Sequence, residues 1–387
     1  MHDESVSGSP LSREHQGGRT LLILAAGAIF LVLMASAKRE PIHTGMDQTA
    51  KRKSSHVEIV LSEKVDYSKS TGLEKYEFVH NALPEIDYEK LDTRIDFFSH
   101  TFSAPIIVSS MTGGFKRAGH INATLAELCK EKNIGMGVGS QRQALSNSEY
   151  LETFKVVRRI AKDIFVMSNI GAAQVASGFA IDNARRIIDM VEADALAIHL
   201  NPLQEFIQPE GDRNFSGVLK GISELVKKVG VPVIVKETGA GIGADVAKKL
   251  IAAGVAAIDV SGAGGTSWAG IETLRRTDRR VGEKFWNWGI CTADALVQIE
   301  SLPMRKKVRL ISSGGIRDGL DVAKSIALGA DICAAAQPFL KALDKGGVKE
   351  LVREFDLWVE ELKGAMFLTG SGTIKQLKKA KLMKVVA

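Results

Sequence analysis

The sequence predicts an α/β chain folded as a (β/α)8 TIM barrel with an N-terminal extension, and three observations carry that prediction. From Ala104 onward, short β-branched or apolar runs alternate with amphipathic helical stretches, the pattern of βα units around a parallel sheet. Eight such units fit into about 270 residues, close to the ~250 usual for this barrel. Most of the apolar runs end in polar or glycine-rich residues, and a barrel gathers those ends on one face.

Taken in order, residues 1–50 lack periodicity apart from an uncharged apolar run at 20–37, flanked by Arg19 and by Lys38 and Arg39. Three readings fit that run: a membrane anchor of about minimum length, a signal peptide cleaved after Ala35-Ser36-Ala37, or an upstream extension ahead of a functional start at Met46. Residues 51–103 are charged and turn-rich, and read as a lead-in to a barrel domain covering 51–387. The expected strands are 105–109, 135–138, 164–168, 195–200, 232–236, 257–260, 309–312 and 332–335. The expected helices are 121–132, 148–161, 183–192, 218–229, 244–253, 292–302, 320–328 and 348–369. Asp182 and Ser216 stand where N-caps belong, and Gly230, Gly254 and Gly329 where left-handed C-terminal glycines belong. The connection 262–290 is long and carries three tryptophans and several arginines, so it reads as a lid or an oligomer contact.

A net charge of +6 is spread along the chain, without the aromatic-interleaved basic module of a nucleic-acid binder, and it suits an anionic substrate. Cys129, Cys291 and Cys333 are odd in number and far apart, which fits free thiols in a reducing cytosol.

The strand ends hold the chemistry. The fourth releases His199, Asn201, Gln204 and Glu205 within seven positions. Besides a merely satisfied strand end, these residues fit a site where Glu205 binds a hard divalent ion and the others hold a substrate. Magnesium uses one or two protein carboxylates plus substrate phosphates and waters, which implies a phosphorylated substrate. Gly314-Gly315-Ile316-Arg317 follows strand seven, the usual phosphate position in this fold. Lys236 ends the fifth strand, and together with Asn169, Ser140 and Thr112 it suits a flavin mononucleotide (FMN).

These motifs together resemble the FMN-dependent type 2 isopentenyl diphosphate isomerases over residues 52 to about 365. They include Arg52-Lys53-x-x-His56, Ser110-Met111-Thr112-Gly113-Gly114, Gly139-Ser140-Gln141-Arg142 and His199-Leu200-Asn201-x-x-Gln204-Glu205. Glu210-Gly211-Asp212, Lys236-Glu237, Gly264-Gly265-Thr266-Ser267-Trp268, Trp288-Gly289-Ile290 and Gly314-Gly315-Ile316-Arg317 continue the series. The resemblance implies conversion of isopentenyl diphosphate to dimethylallyl diphosphate with reduced FMN, Mg2+, and NADPH or NADH to reduce the flavin. It implies that Arg52, Lys53, His56, Arg142, His199 and Asn201 hold the diphosphate, that Gln204 is the catalytic residue beside the alkene, and that Glu205 binds the metal. It also implies that Ser110, Met111, Thr112, Ser140, Asn169, Lys236, Ser261 and Thr266 contact the flavin, with Gly315, Ile316, Arg317, Ala336 and Gln337 at its phosphate end. With no Glu, Asp or Cys expected within reach of the alkene, the reduced flavin itself is expected to relay the proton while Gln204 orients the substrate. Two positions depart from the family pattern: Cys291 replaces a proline, and Gln337 stands where relatives often carry arginine.

The alternative in the same fold is an FMN-dependent α-hydroxy acid oxidase or dehydrogenase, whose Ser-Asn-His-Gly-Gly-Arg segment is here Ser261-Gly262-Ala263-Gly264-Gly265-Thr266, without the base imidazole. A non-catalytic membrane-tethered binding protein is a third. Because the Arg-Lys-x-x-His segment usually lies near the starting methionine, residues 1–45 are expected to be dispensable. The protein is expected to be cytoplasmic, with an anchor through 20–37 as the alternative, and to form a homo-oligomer without nucleic acid.

Overall fold

The computed structural model describes residues 44–176 and 181–385. The apolar run 20–37 lies outside the described residues; among those described, no helix is long and apolar enough to cross a membrane. Residues Gln48–Ala387 form one compact unit.

Before the barrel come α1 (Thr44–Ser62), β1 (Tyr76–Phe78) and the hairpin β2 (Ile95–Phe97) and β3 (His100–Phe102). The barrel proper runs β4 (Ile106–Val108), α2 (Ala118–Lys132), β5 (Gly135–Gly137), α3 (Arg142–Ser146), α4 (Glu152–Ile160), β6 (Val166–Gly171), α5 (Ala172–Ala176), α6 (Ile181–Met190), β7 (Ala195–His199), α7 (Pro202–Ile207), α8 (Val218–Lys228) and β8 (Val233–Lys236). It continues with α9 (Ala244–Ala252), β9 (Ala257–Asp259), α10 (Trp268–Leu274), α11 (Arg280–Phe285), α12 (Thr292–Glu300), β10 (Arg309–Ser313), α13 (Gly319–Ala327), β11 (Ile332–Ala335) and α14 (Gln337–Leu368). After α15 (Ile374–Leu377), β12 (Leu382–Lys384) pairs antiparallel with β1.

Strands β4 to β11 close into a barrel in chain order, with β11 pairing back to β4 and every pairing parallel. Each strand is covered on both faces, which is why it reads as a short continuous apolar run instead of an alternating one. Ile106, Ile107, Val108, Val166, Ile198, Val235, Ile258 and Leu310 are all buried. The hairpin β2–β3 brings Phe97 and Phe102 against Phe165, packing their rings edge-on or tilted below the strands.

The structure differs from the sequence reading in four places. The lead-in is not without long elements, since α1 covers 19 residues and carries Arg52, Lys53 and His56. Asp182 lies inside α6, and the N-cap of α8 is Gly217 at φ 85°, not Ser216. The last helix begins at Gln337, directly after the eighth strand, and breaks at Gly346 and Gly347 before continuing through the expected 348–369 segment. The third barrel strand ends at Gly171, so Asn169 sits within the strand. Gly230, Gly254 and Gly329 do take positive φ just past their helices.

The connection 262–290 folds as α10 and α11 and is fastened down. The Tyr67 hydroxyl donates to the Trp288 carbonyl at 3.1 Å, the Trp286 indole donates to the Asp66 carbonyl at 3.1 Å, and Ser267 Oγ donates to the Trp286 carbonyl at 2.7 Å. The same segment reaches the glycine loop, where Tyr67 N–H donates to the Gly265 carbonyl.

Candidate active site

Register sets the middle of the site. Gly171, His199, Lys236 and Asp259 are successive partners across β6, β7, β8 and β9, so they stand at one level at the mouth of the barrel. Gly171 makes room for the imidazole, since a Cβ there would lie 3.0 Å from His199 Nε2. His199 Nδ1 is 2.7 Å from Asn169 Oδ1, an arrangement that puts the ring proton on Nδ1 as donor. Burial, reinforced by Lys236 and Lys53, pushes the imidazole down to about 3, so His199 is neutral. Lys236 Nζ donates to the Glu237 carbonyl at 2.5 Å. Glu237 turns its carboxylate away to collect the backbone N–H groups of Thr238, Gly239, Ala240 and Gly241, although burial still raises it to about 6. Asp259 accepts from Ser313 Oγ at 2.5 Å, tying the sixth barrel strand to the end of the seventh.

Helix α1 supplies cations from above. Lys53 Nζ donates to the carbonyls of Gly113 at 2.8 Å and Ser140 at 2.7 Å, and lies 5.6 Å from the centre of the Phe154 ring. Burial, with Arg52 beside it, lowers Lys53 to about 7. His56 packs edge-on against Trp268 with ring centres 5.1 Å apart. Its Nε2 lies 2.9 Å from Glu272 Oε1, in a geometry too oblique for a full hydrogen bond. Arg142 is exposed at the start of α3, out on the rim.

Glu272 is the residue that the sequence reading missed. It is fully buried on α10, where Gln204 Nε2 donates to its Oε1 at 3.1 Å and Arg275 Nη1 to its Oε2 at 2.5 Å. With the Gln208 amide turned to suit its neighbours, the nitrogen donates to Glu272 Oε1 at 3.2 Å and the oxygen accepts from Arg52 Nη1 at 2.9 Å. A buried carboxylate thus lies beside Gln204, a neighbour that the sequence reading did not name. Burial opposes the charge, but His56 and Arg275 outweigh it and hold Glu272 at about 2, so it is an acceptor and not a proton donor. A signal existed in the sequence: Glu272 is the lone charged residue in Ala269-Gly270-Ile271-Glu272-Thr273-Leu274, and a buried helix does not carry an unpaired carboxylate.

Adjacent residues of α7 take two jobs. Gln204 points to Glu272, whereas Glu205 accepts from Asn201 Nδ2 at 3.1 Å and from the Asp212 N–H at 2.7 Å. Asn201 Oδ1 is buried with no partner. A carboxylate beside an unpaired amide oxygen fits magnesium, which takes its remaining ligands from waters and substrate phosphates. Among the described residues no cluster of three or more His, Cys, Asp or Glu side chains could hold a metal by itself.

The opposite side of the mouth fits a flavin nucleotide. Ser110 Oγ and Gln337 Nε2 are buried and unpartnered, each a donor awaiting a ligand atom. Gly314 and Gly315 hold φ 97° and 79°, and Gly265 packs so tightly that a Cβ there would lie 2.4 Å from the Gly315 nitrogen. That glycine backbone stands at the usual phosphate position of this fold, and the N-terminus of α14 adds a positive dipole end. Ser261 takes φ 40° between these loops. Arg317 Nη2 donates to the Gly264 carbonyl at 3.0 Å and its side chain is half-exposed, while Ile316 is buried. Met111, Ser140 and Ala336 are partly exposed at the mouth, and Thr266 forms an isolated bridge with Asp66. The Thr112 hydroxyl is used internally on Asn122 Oδ1 at 2.5 Å, which leaves no free hydroxyl proton for a cofactor.

Comparison with known proteins bears on the family and the fold. A family model described as FMN-dependent dehydrogenase matches residues 163–384. The chain is 46% identical over 350 residues to an isopentenyl-diphosphate delta-isomerase of Chlorobaculum parvum, covering 87% of this chain and 97% of that one. It is 47% identical over 337 residues to the enzyme of the same name from Archaeoglobus fulgidus, covering 86% and 95%. Among solved structures, a lactate oxidase of Pediococcus acidilactici superposes with TM-score 0.64 at 17% identity, covering 88% of this chain and 95% of that one. A mandelate oxidase with an FMN adduct gives 0.60 at 16%, covering 88% and 99%. At those identities the oxidases speak for the fold alone.

Proposed function

We propose, from the premise that this chain belongs to the FMN-dependent type 2 isopentenyl-diphosphate delta-isomerase family, that it converts isopentenyl diphosphate to dimethylallyl diphosphate in isoprenoid biosynthesis, using reduced FMN and magnesium. The observation that carries this reading is the division of labour at α7, where Gln204 serves a buried anion and Glu205 an open oxygen site. An isomerase of an allylic diphosphate needs both, one around the hydrocarbon and one around the charge.

The reaction adds a proton to the terminal alkene carbon and removes one from the carbon across the allyl unit, through a species of tertiary carbocation character. Reduced FMN would supply an electron-rich face and a nitrogen able to relay a proton. Lys236, Ser110 and the Gly314–Gly315 backbone would hold it, with Gln337 at the phosphate. NADPH or NADH would keep it reduced. Arg52, Lys53 and His56 descend from α1 onto the diphosphate, joined by neutral His199 and by Asn201, and Arg142 closes in from the rim. Glu205 and Asn201 Oδ1 would hold magnesium, which would supply positive charge for the diphosphate. Gln204, anchored on anionic Glu272, orients the alkene and cannot pass on a proton that Glu272 does not carry.

The missing imidazole in Ser261-Gly262-Ala263-Gly264-Gly265-Thr266 argues against α-hydroxy acid oxidation. Exposed Phe206 and Trp288, bridged by Phe285, offer a face for a second copy of the chain.

One purification tests the reading. The expected protein is yellow, releases FMN, and forms dimethylallyl diphosphate only after reduction with magnesium present. A colourless protein, or one inactive under those conditions, would overturn it. Replacing FMN with a reduced 5-deaza analogue should abolish turnover without abolishing binding.

A further inference from the structure

The charged groups around Gln204 form an alternating chain. Arg52 Nη1 lies 3.8 Å from Glu210 Oε1, Arg275 Nη2 donates to that same oxygen at 2.8 Å, and Arg275 Nη1 reaches Glu272 Oε2 at 2.5 Å. Glu272 then meets His56 and Gln204. We infer that Arg275 is the positioning residue of this site: it grips Glu272 with one arm of its guanidinium and Glu210 with the other, fixing the buried carboxylate in the one orientation that serves both Gln204 and His56. The inference rests on the isomerase reading above and goes beyond it, because Arg275 touches neither a substrate-holding residue of that reading nor the flavin side of the mouth.

The geometry requires such a partner. Glu272 is entirely out of water, and its other contacts are two carboxamides and an imidazole. A carboxylate so placed keeps its charge only beside a fixed cation. Arginine suits the role because its planar fork holds two carboxylates at fixed angles, which a lysine cannot do. The charged groups facing Glu272 are His56 from α1 and Arg275 at the end of its own helix, with Arg52 and Glu210 one partner further out. Without Arg275 nothing would fix the Oε2 side of the carboxylate, its titration would move up, and the acceptor of Gln204 would be free to turn.

The test compares reduced, magnesium-loaded Arg275→Gln and Arg275→Lys holoenzymes with the native one. Arg275→Gln should lower kcat at least tenfold while KM for isopentenyl diphosphate stays within threefold, and Arg275→Lys should fall between it and the native enzyme. The protonation of Glu272 is followed separately by infrared difference spectra against Glu272→Gln, and in Arg275→Gln it should occur at least one pH unit higher than in the native protein. A kcat unchanged in Arg275→Gln, or a Glu272 titration that does not move, overturns the inference. Should Arg275→Gln fail to fold, native kcat in Arg275→Lys overturns it instead. Absence of isomerase activity in the native protein would sink the functional reading, while the infrared titration would still decide the role of Arg275.

Discussion

Burial and the neighbouring Arg52 lower the Lys53 ammonium to about 7, close to neutral pH. An anionic diphosphate binds the charged form, so kcat/KM should fall as pH rises above about 7, since that ratio reports the free enzyme. The same depression means the folded state binds fewer protons than the unfolded chain between pH 7 and the ordinary lysine value of about 10.4, so this residue's contribution to stability improves as pH rises through that window. Lys53→Arg, which stays charged, should flatten the alkaline limb of a pH–kcat/KM profile; an unchanged limb would assign the titration elsewhere. Glu205→Gln should raise the magnesium concentration for half-maximal activity at least tenfold, with FMN content unaltered. Single residues were partly legible in the sequence. His199 and Glu205 stood out because polar side chains at a strand end have few structural reasons to cluster. Glu272 did not, since its meaning depends on His56 and Arg275 arriving from elsewhere.

Elements were legible where their pattern is local. The eight barrel strands announced themselves as short apolar runs because both faces of a parallel sheet are covered. Helix α1 escaped because its buried positions, Ala50, Val57 and Val60, are sparse among charges that turned out to face the site. Strand β1 escaped because its partner β12 lies at the far end of the chain, and no short window contains both. The fastening of the 262–290 connection was equally hidden, since residues 65–68 make it. Tyr67→Phe removes the bond to the Trp288 carbonyl and should cost about 1 kcal/mol in urea unfolding. Amide exchange should quicken at residues 286–289, whereas exchange confined to native rates would show that the other bonds suffice.

Stability and chemistry occupy opposite ends of the molecule. Below the barrel, Asp331 accepts from Arg305 Nη2 at 3.0 Å, Lys378 Nζ at 2.6 Å and the Leu310 N–H at 2.7 Å, joining the last two strands to α15. Lys378 and Arg305 hold its carboxyl below the usual range despite burial. Its contribution is therefore complete above the unfolded value of about 3.9 and lost as pH falls through the lowered one. Asp331→Ala should cost about 3–5 kcal/mol in denaturant unfolding while leaving turnover per folded molecule intact; a selective loss of turnover would contradict that separation. The active end carries an optical consequence of its own. Trp268 lies edge-on to His56, so its indole emission depends on where that imidazole sits. A variant keeping Trp268 alone among the four tryptophans would report, without label or turnover, when a ligand moves the groups that α1 brings to the barrel mouth.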